Sequence, residues 1–246
     1  MKRERIYFYV VLAASAITAS ALFCFSEIKG AEFEVEGAIV SSMAVPRAHL
    51  KITRIVFLDV PFTSQAPSGR WFDPRQQNGC EEASAIMAIR WVRGPNFSDE
   101  ESEKEIIAIS EYERKTYSDF RDTSAEDTVL RIFKGYYQYN SVEMRRNINK
   151  NDIKRVLVKG NLVIVPVDGR MLNNPFYTPP GPAEHMIVVR GYDPATGEFI
   201  TNDPGTRHGE GFRYREDILE GAIRDYPTGF HEAIFAIEKV MIVISR

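Results

Sequence analysis

An α+β fold, with a helical N-terminal part packed on an antiparallel sheet, is the architecture this sequence predicts, on three observations. Helical spacing and capping signals cluster between residues 80 and 159. Segments rich in β-branched residues, punctuated by Gly and Pro, gather between residues 162 and 245. The two kinds of segment do not alternate, which argues against βαβ units and a parallel sheet. Neither an internal repeat nor a low-complexity tract is present.

The elements follow in order. Residues 2–5 are Lys-Arg-Glu-Arg, and residues 6–25 carry no charge. A helix of that length spans about 30 Å, the thickness of a hydrocarbon core. The basic flank places the N-terminus in the cytoplasm and the rest of the chain outside. The run has no polar stripe of the kind an amphipathic core helix shows. Ala19-Ser20-Ala21 offers a small-x-small cleavage site, so residues 1–25 are expected to be a signal peptide or a signal anchor. The chain is then exported, either membrane-anchored through residues 6–25 and facing outside, or secreted. Residues 26–53 read as a spacer, with one short strand near 38–40, and residues 54–246 as the folded domain.

Within that domain, residues 54–60 (RIVFLDV, before Pro61) predict a strand, and residues 64–79 predict a turn-rich loop. From Cys80, apolar side chains recur at helical spacing until Gly94-Pro95 stops them. Ser98-Asp-Glu-Glu101 is a capping box opening a charged helix to about Thr116, whose charges form a solvated face. Thr123-Ser-Ala-Glu126 repeats the device, and residues 151–159 form a short helix closed by Gly160. Strands are expected at 162–167, 185–191, 198–203 and 233–245, with a helix near 214–225.

Composition sets the outer limits. With 246 residues, 44% apolar and 26% charged, the chain can bury a core and suits one domain with appendages, expected here to be a monomer. Its net charge of −3 gives no bulk electrostatic reason to hold nucleic acid. Two cysteines cannot make a disulfide framework, and beyond the apolar run Cys80 stands alone.

Cys80 follows an Asn-Gly turn and opens a helix, where the dipole and free N–H groups favour the thiolate. By position alone it also fits the common fate of a free cysteine, a small buried hydrophobe. Glu81 and Glu82 oppose ionisation unless they point away. A cationic partner must come from His49, His185, His208 or His231. His185 opens the strand HMIVVRGYD, and the turn at 193–197 folds the next strand back so that its end meets the start of the first. Asp203 is then placed to orient His185, and Asn202, facing the other way by pleat, is the alternative. The order Cys80, His185, Asp203 supplies a nucleophile, a base and an orienting acid. The Cys80 backbone N–H offers one oxyanion donor, and Gln65, Gln76 or Gln77 could offer another; spacing prefers none of them.

The strings VPFTSQAP, NGCEEASAIMA, HMIVVRGYD and NDPG, in this order between residues 60 and 205, resemble bacterial cysteine peptidase-like domains related to the double-glycine leader peptidases. The likeness covers about residues 55–245 and implies a papain-like cysteine peptidase fold. It implies that Cys80 is the nucleophile, His185 the base, Asp203 the orienting acid and Gln65 the oxyanion glutamine, with Gln76 and Gln77 as fallbacks. Many members have Gly after the cysteine where this chain has Glu81. No transporter accompanies the domain, so the leader peptidases' substrate does not carry over.

The long loop 168–184, rich in Pro, Gly and Asn, places Phe176 and Tyr177 as one wall of a substrate cleft, with Trp71 as the other. Glu184-His185 and His208-Gly-Glu210 match no zinc spacing, so no metal and no other cofactor is expected. The reading is an exported thiol-dependent peptidase or amidase acting on peptide or protein through an acyl-enzyme. Two alternatives stay open: a non-catalytic module binding peptide or cell-wall polymer, and an acyltransferase of the transglutaminase type.

Overall fold

The computed structural model describes residues 52–94 and 97–246. The expected targeting segment, the spacer strand and His49 lie outside them. The described residues fall in one compact unit, Ala48–Arg246. Among them, no helix is long and apolar enough to cross a membrane.

Among the described residues, seven strands and six α-helices, with one π and one 3₁₀ segment, follow in this order. They are β1 (Val56–Phe57), α1 (Pro74–Gln77), α2 (Cys80–Arg93), α3 (Asp99–Tyr117) and α4 (Ala125–Asp127), which widens into a π-helix over Thr128–Tyr136. Then come β2 (Val142–Arg146), α5 (Lys150–Val158), β3 (Leu162–Val167), a 3₁₀ turn at Gly169–Leu172, β4 (His185–Asp193) and β5 (Glu198–Asn202). The chain closes with β6 (Glu210–Arg215), α6 (Glu216–Ala222) and β7 (Val240–Ile244). All pairings are antiparallel, in the order β2-β7-β3-β4-β5-β6, with β1 on the far end of β4. The architecture is α+β, as the sequence predicts.

Two apolar layers flank the sheet. On one side α2, α3 and the π-helix bury Ile86, Met87, Ile106, Ile132 and Phe133 against Met186, Val188 and Ile242. On the other side α5 and α6 bury Ile153, Leu157 and Leu219 against Val165, Ile187 and Val243. Strands β3 and β4 are apolar on both faces because both faces are covered, so neither shows the alternation of a half-solvated strand.

Local chemistry explains where elements begin. Ser98 and Glu101 form the expected capping box, each side chain meeting the other's backbone N–H. The cap of the next helix is shifted by one residue: Ser124 Oγ accepts from Asp127 N–H, while the Thr123 hydroxyl pairs with Thr128. Asn149 and Asp152 form a second box, starting α5 one residue earlier than expected. Three sequence expectations are corrected. The strand at 54–60 shrinks to Val56 and Phe57, which pair with Tyr192 and Gly191 of β4, and a last bond from the Leu58 N–H to the Arg190 carbonyl ends the contact. The strand at 233–245 shrinks to Val240–Ile244, because Phe235 and Ile237 point into solvent instead of pairing. Strands β2 and β6 were not anticipated. Each lies at an end of the sheet, and the β2 sequence VEMRR is too charged to signal a strand.

Candidate active site

Helix α2 places Cys80 at its first position, and Ser84, one turn later, seats the helix on the sheet. Ser84 Oγ donates to the backbone carbonyl of Met186 at 3.2 Å, the residue after His185. The N-terminus of α2 is thereby held beside the start of β4. Cys80 and His185 line the same cavity of about 340 Å³, together with Gln65, Trp71 and Tyr177. Cys80 is a free, buried thiol, and His185 is 1% exposed.

The β4–β5 hairpin delivers the acid. Its register pairs Val188 with Asn202, so Asp203 comes level with the start of β4. Asp203 Oδ1 lies 2.8 Å from His185 Nε2. It is Asp203, not Asn202, that meets the imidazole, because Asn202 is engaged elsewhere. Its Nδ2 donates to the carbonyls of Val60 and Pro61, and its Oδ1 accepts from buried Arg190. It fastens the segment before Gln65 to the end of β5, and the Gln65 N–H adds a bond to the Pro204 carbonyl at 2.9 Å.

Asp203 is fully buried and heavily supported. Its Oδ2 accepts from Tyr177 Oη at 2.5 Å, from Tyr214 Oη at 2.6 Å and from Asn174 Nδ2 at 3.3 Å, while the Gly205 N–H reaches Oδ1 at 3.0 Å. Burial would push this carboxyl up, but the His185 imidazole and the two tyrosine hydroxyls outweigh it and hold it below its ordinary value. Burial and the adjacent Asp203 charge push both tyrosine hydroxyls up, so they remain donors.

The sulfur has a different neighbour. Its S–H donates to Glu81 Oε2 at 3.0 Å, and Tyr226 Oη donates to Glu81 Oε1 at 2.6 Å. Glu81 therefore points toward the thiol, the orientation that opposes ionisation. Burial pushes the Cys80 thiol well up, and the Glu81 charge adds to it. Burial, with the Asp122 charge, pushes Glu81 itself up to about 7. In this geometry Cys80 is a thiol.

The three glutamines separate. Gln65 lines the cavity, but its Nε2 donates to the carbonyls of Gln76 at 3.1 Å and Gln77 at 2.7 Å. Gln77 also lines the cavity, whereas Gln76 is buried and its side-chain amide has no hydrogen-bond partner among the described residues. The expected cleft walls are distributed over two spaces. Trp71 borders both the Cys80 cavity and a neighbouring one of about 660 Å³, whereas Phe176 borders the neighbouring one alone, its ring 4.4 Å from that of His208. Tyr177 lines the Cys80 cavity and also holds the acid, a role its sequence did not reveal. Asn174, Tyr214 and Tyr226 were not anticipated either. They act through contacts between distant segments, and no local motif marks them.

Gly205 leaves the space in which the His185 ring sits. A Cβ there would stand 2.9 Å from His185 Cε1 and 3.0 Å from Nε2, closer than side chains pack. Gly205→Ala is expected to displace the ring from Asp203, with the circular dichroism unchanged. A His185 ring NMR signal that does not move in the folded variant would mean that the site accommodates the added methyl.

No curated protein matches the chain. A solved structure from Bacillus anthracis, described as a C39-like peptidase, shares 14% identity at a TM-score of 0.50, covering 78% of this chain and 98% of its own. That likeness is one of fold. The family model named Peptidase C39 like family matches residues 57–226, a span that contains Cys80, His185 and Asp203. Matched over more than half its length, the chain belongs to the Peptidase C39 like family.

Proposed function

We propose that this protein is an exported thiol peptidase or amidase whose catalytic residues are Cys80, His185 and Asp203. One observation carries the reading: a helix-N-terminal cysteine and a histidine held by a buried aspartate open into one cavity. Asp203 occupies Nε2 of His185, which leaves Nδ1 to take the thiol proton. The proton leaves its contact with Glu81, the sulfur attacks the acyl carbon, and the carbonyl oxygen becomes an oxyanion. The Cys80 N–H, unpaired within the first turn of α2, faces that charge. Gln65 is the second donor, once its amide releases one of the two carbonyls it holds. The imidazolium then gives its proton to the leaving amine, and water hydrolyses the thioester. Residues 6–25, behind a basic flank, support action outside the cytoplasmic membrane.

The test uses the full chain with an epoxide thiol inhibitor and a mixed fluorogenic peptide set. One inhibitor equivalent should attach to Cys80 in the folded protein and none after unfolding. Cleavage should fall by at least about 10³-fold in Cys80→Ala. Cleavage that persists in Cys80→Ala overturns the reading. The thiol's contact with Glu81 favours a second reading, a module that binds peptide without cutting it. Peptide binding unchanged in Cys80→Ser, with no acyl adduct in the wild type, would establish that instead. Adducts to an added amine would mark acyl transfer.

A further inference from the structure

We infer that the mouth of the Cys80 cavity is a binding site for a divalent transition-metal ion, with Zn²⁺ as its reference ligand, held by Asp122, Glu184 and His231. The three come from separate segments: the loop after α3, the residue before β4, and the loop between α6 and β7. Their ligand atoms all lie within 4.8 Å of one another, and all three residues line the cavity that holds Cys80 and His185. His231 Nδ1 stands 3.1 Å from Glu184 Oε2 and 3.7 Å from Asp122 Oδ2.

Those separations match what zinc imposes. Bonds of about 2.0–2.2 Å at tetrahedral angles put neighbouring ligand atoms roughly 3.3–3.5 Å apart. The two separations from His231 straddle that value, and the carboxylate pair lies within 4.8 Å. One imidazole and two carboxylates form a donor set of the kind zinc takes in open sites, where three protein ligands leave a fourth position to water or substrate. The His231 backbone N–H donates to Asp122 Oδ2 at 2.9 Å, which fixes the carboxylate's orientation. Glu184 thus pairs with His231, not with its neighbour His185, whose Nε2 is already on Asp203. The site stands on these three side chains alone and does not depend on the peptidase reading.

The experiment titrates Zn²⁺ into the full chain carrying Cys80→Ala, so that the thiol cannot be a ligand, and follows binding by calorimetry. One equivalent is expected to bind, with affinity at least about tenfold weaker in Glu184→Gln and in His231→Ala. Co²⁺ in the same protein should give tetrahedral d–d bands without a thiolate charge-transfer band. Circular dichroism of each variant establishes that it is folded. No binding in Cys80→Ala, or one equivalent unchanged in His231→Ala, overturns the assignment. In either case the three side chains form a polar cluster that holds no ion, with His231 Nδ1 hydrogen-bonded to Glu184.

Discussion

Asp203→Asn is expected to lower peptide cleavage by about 10³–10⁴-fold while leaving Cys80 in place. The variant changes little in volume and removes a charge that five groups share: His185, Gly205, Tyr177, Tyr214 and Asn174. If the new amide nitrogen faces His185, Nε2 must become the acceptor, Nδ1 carries the proton, and the ring cannot take the thiol's hydrogen. If the amide oxygen faces His185, the nitrogen points at Tyr177, Tyr214 and Asn174, whose donors lose their acceptor in a buried site. Losing charge-assisted bonds there costs about 2–4 kcal/mol of stability. The two arrangements separate experimentally: the first lowers kcat with little change in Tm, and the second lowers both. Measuring kcat/KM and Tm on one preparation decides between them. Cleavage at the wild-type rate in a folded variant would remove Asp203 from the mechanism. Asn202→Ala is the contrast, since Asn202 holds Val60 and Pro61 and does not touch the imidazole.

How far the site could be read in advance follows from the range of the forces involved. Cys80, His185 and Asp203 were legible because each sits at an element boundary with a local signal: a helix start after Asn-Gly, a strand start, and the end of a hairpin whose turn sets the register. Pleat alternation predicts that Asp203 and Asn202 face opposite ways, and they do, because that distinction needs only neighbouring residues. The support around the acid was not legible. Tyr177 sits in a loop without periodicity and Tyr214 in an unanticipated strand, and they meet Asp203 only in the folded chain. The direction in which Glu81 points depends on Tyr226, 145 positions away, so the sequence could state the conflict with thiolate formation but not its outcome. The overlong C-terminal strand failed for a related reason. Apolar residues at 233–239 resemble a strand, yet Phe235 is 97% exposed and only Val240–Ile244 reaches a partner.

Behind Cys80 lies a group of buried carboxylates. Glu113→Gln is expected to stabilise the fold at pH 7.5–8 and to leave it nearly unchanged near pH 4.5. Helix α3 buries Glu113 against the carboxylates of α2, and neither of its oxygens has a hydrogen-bond partner among the described residues. Burial, followed by the Glu81 charge, pushes Glu113 up to about 9. Glu82 is pushed up by burial and then by Glu113, although Ser110 Oγ donates to its Oε1 at 2.7 Å. The sign follows directly. An unfolded glutamate loses its proton near 4.5, whereas the folded chain keeps this one to about 9, so unfolding releases a proton across the whole interval. Folding stability therefore falls as pH rises through that window. At 1.36 kcal/mol per pH unit over the three units from 4.5, Glu113 alone accounts for roughly 4 kcal/mol by pH 7.5. Carboxyls held low in the fold, such as Asp203 below its usual range and Glu216 at about 2, act in the opposite sense, losing their contribution only in acid. The two groups together place maximal stability near pH 5. A glutamine has no proton to release, so Glu113→Gln should flatten the alkaline fall and add up to roughly 4 kcal/mol at pH 7.5. Thermal unfolding from pH 4.5 to 9 measures both curves. A wild-type Tm that does not fall between pH 5 and 8, or a variant whose curve parallels it, would mean that this carboxyl ionises in the folded chain like an exposed one.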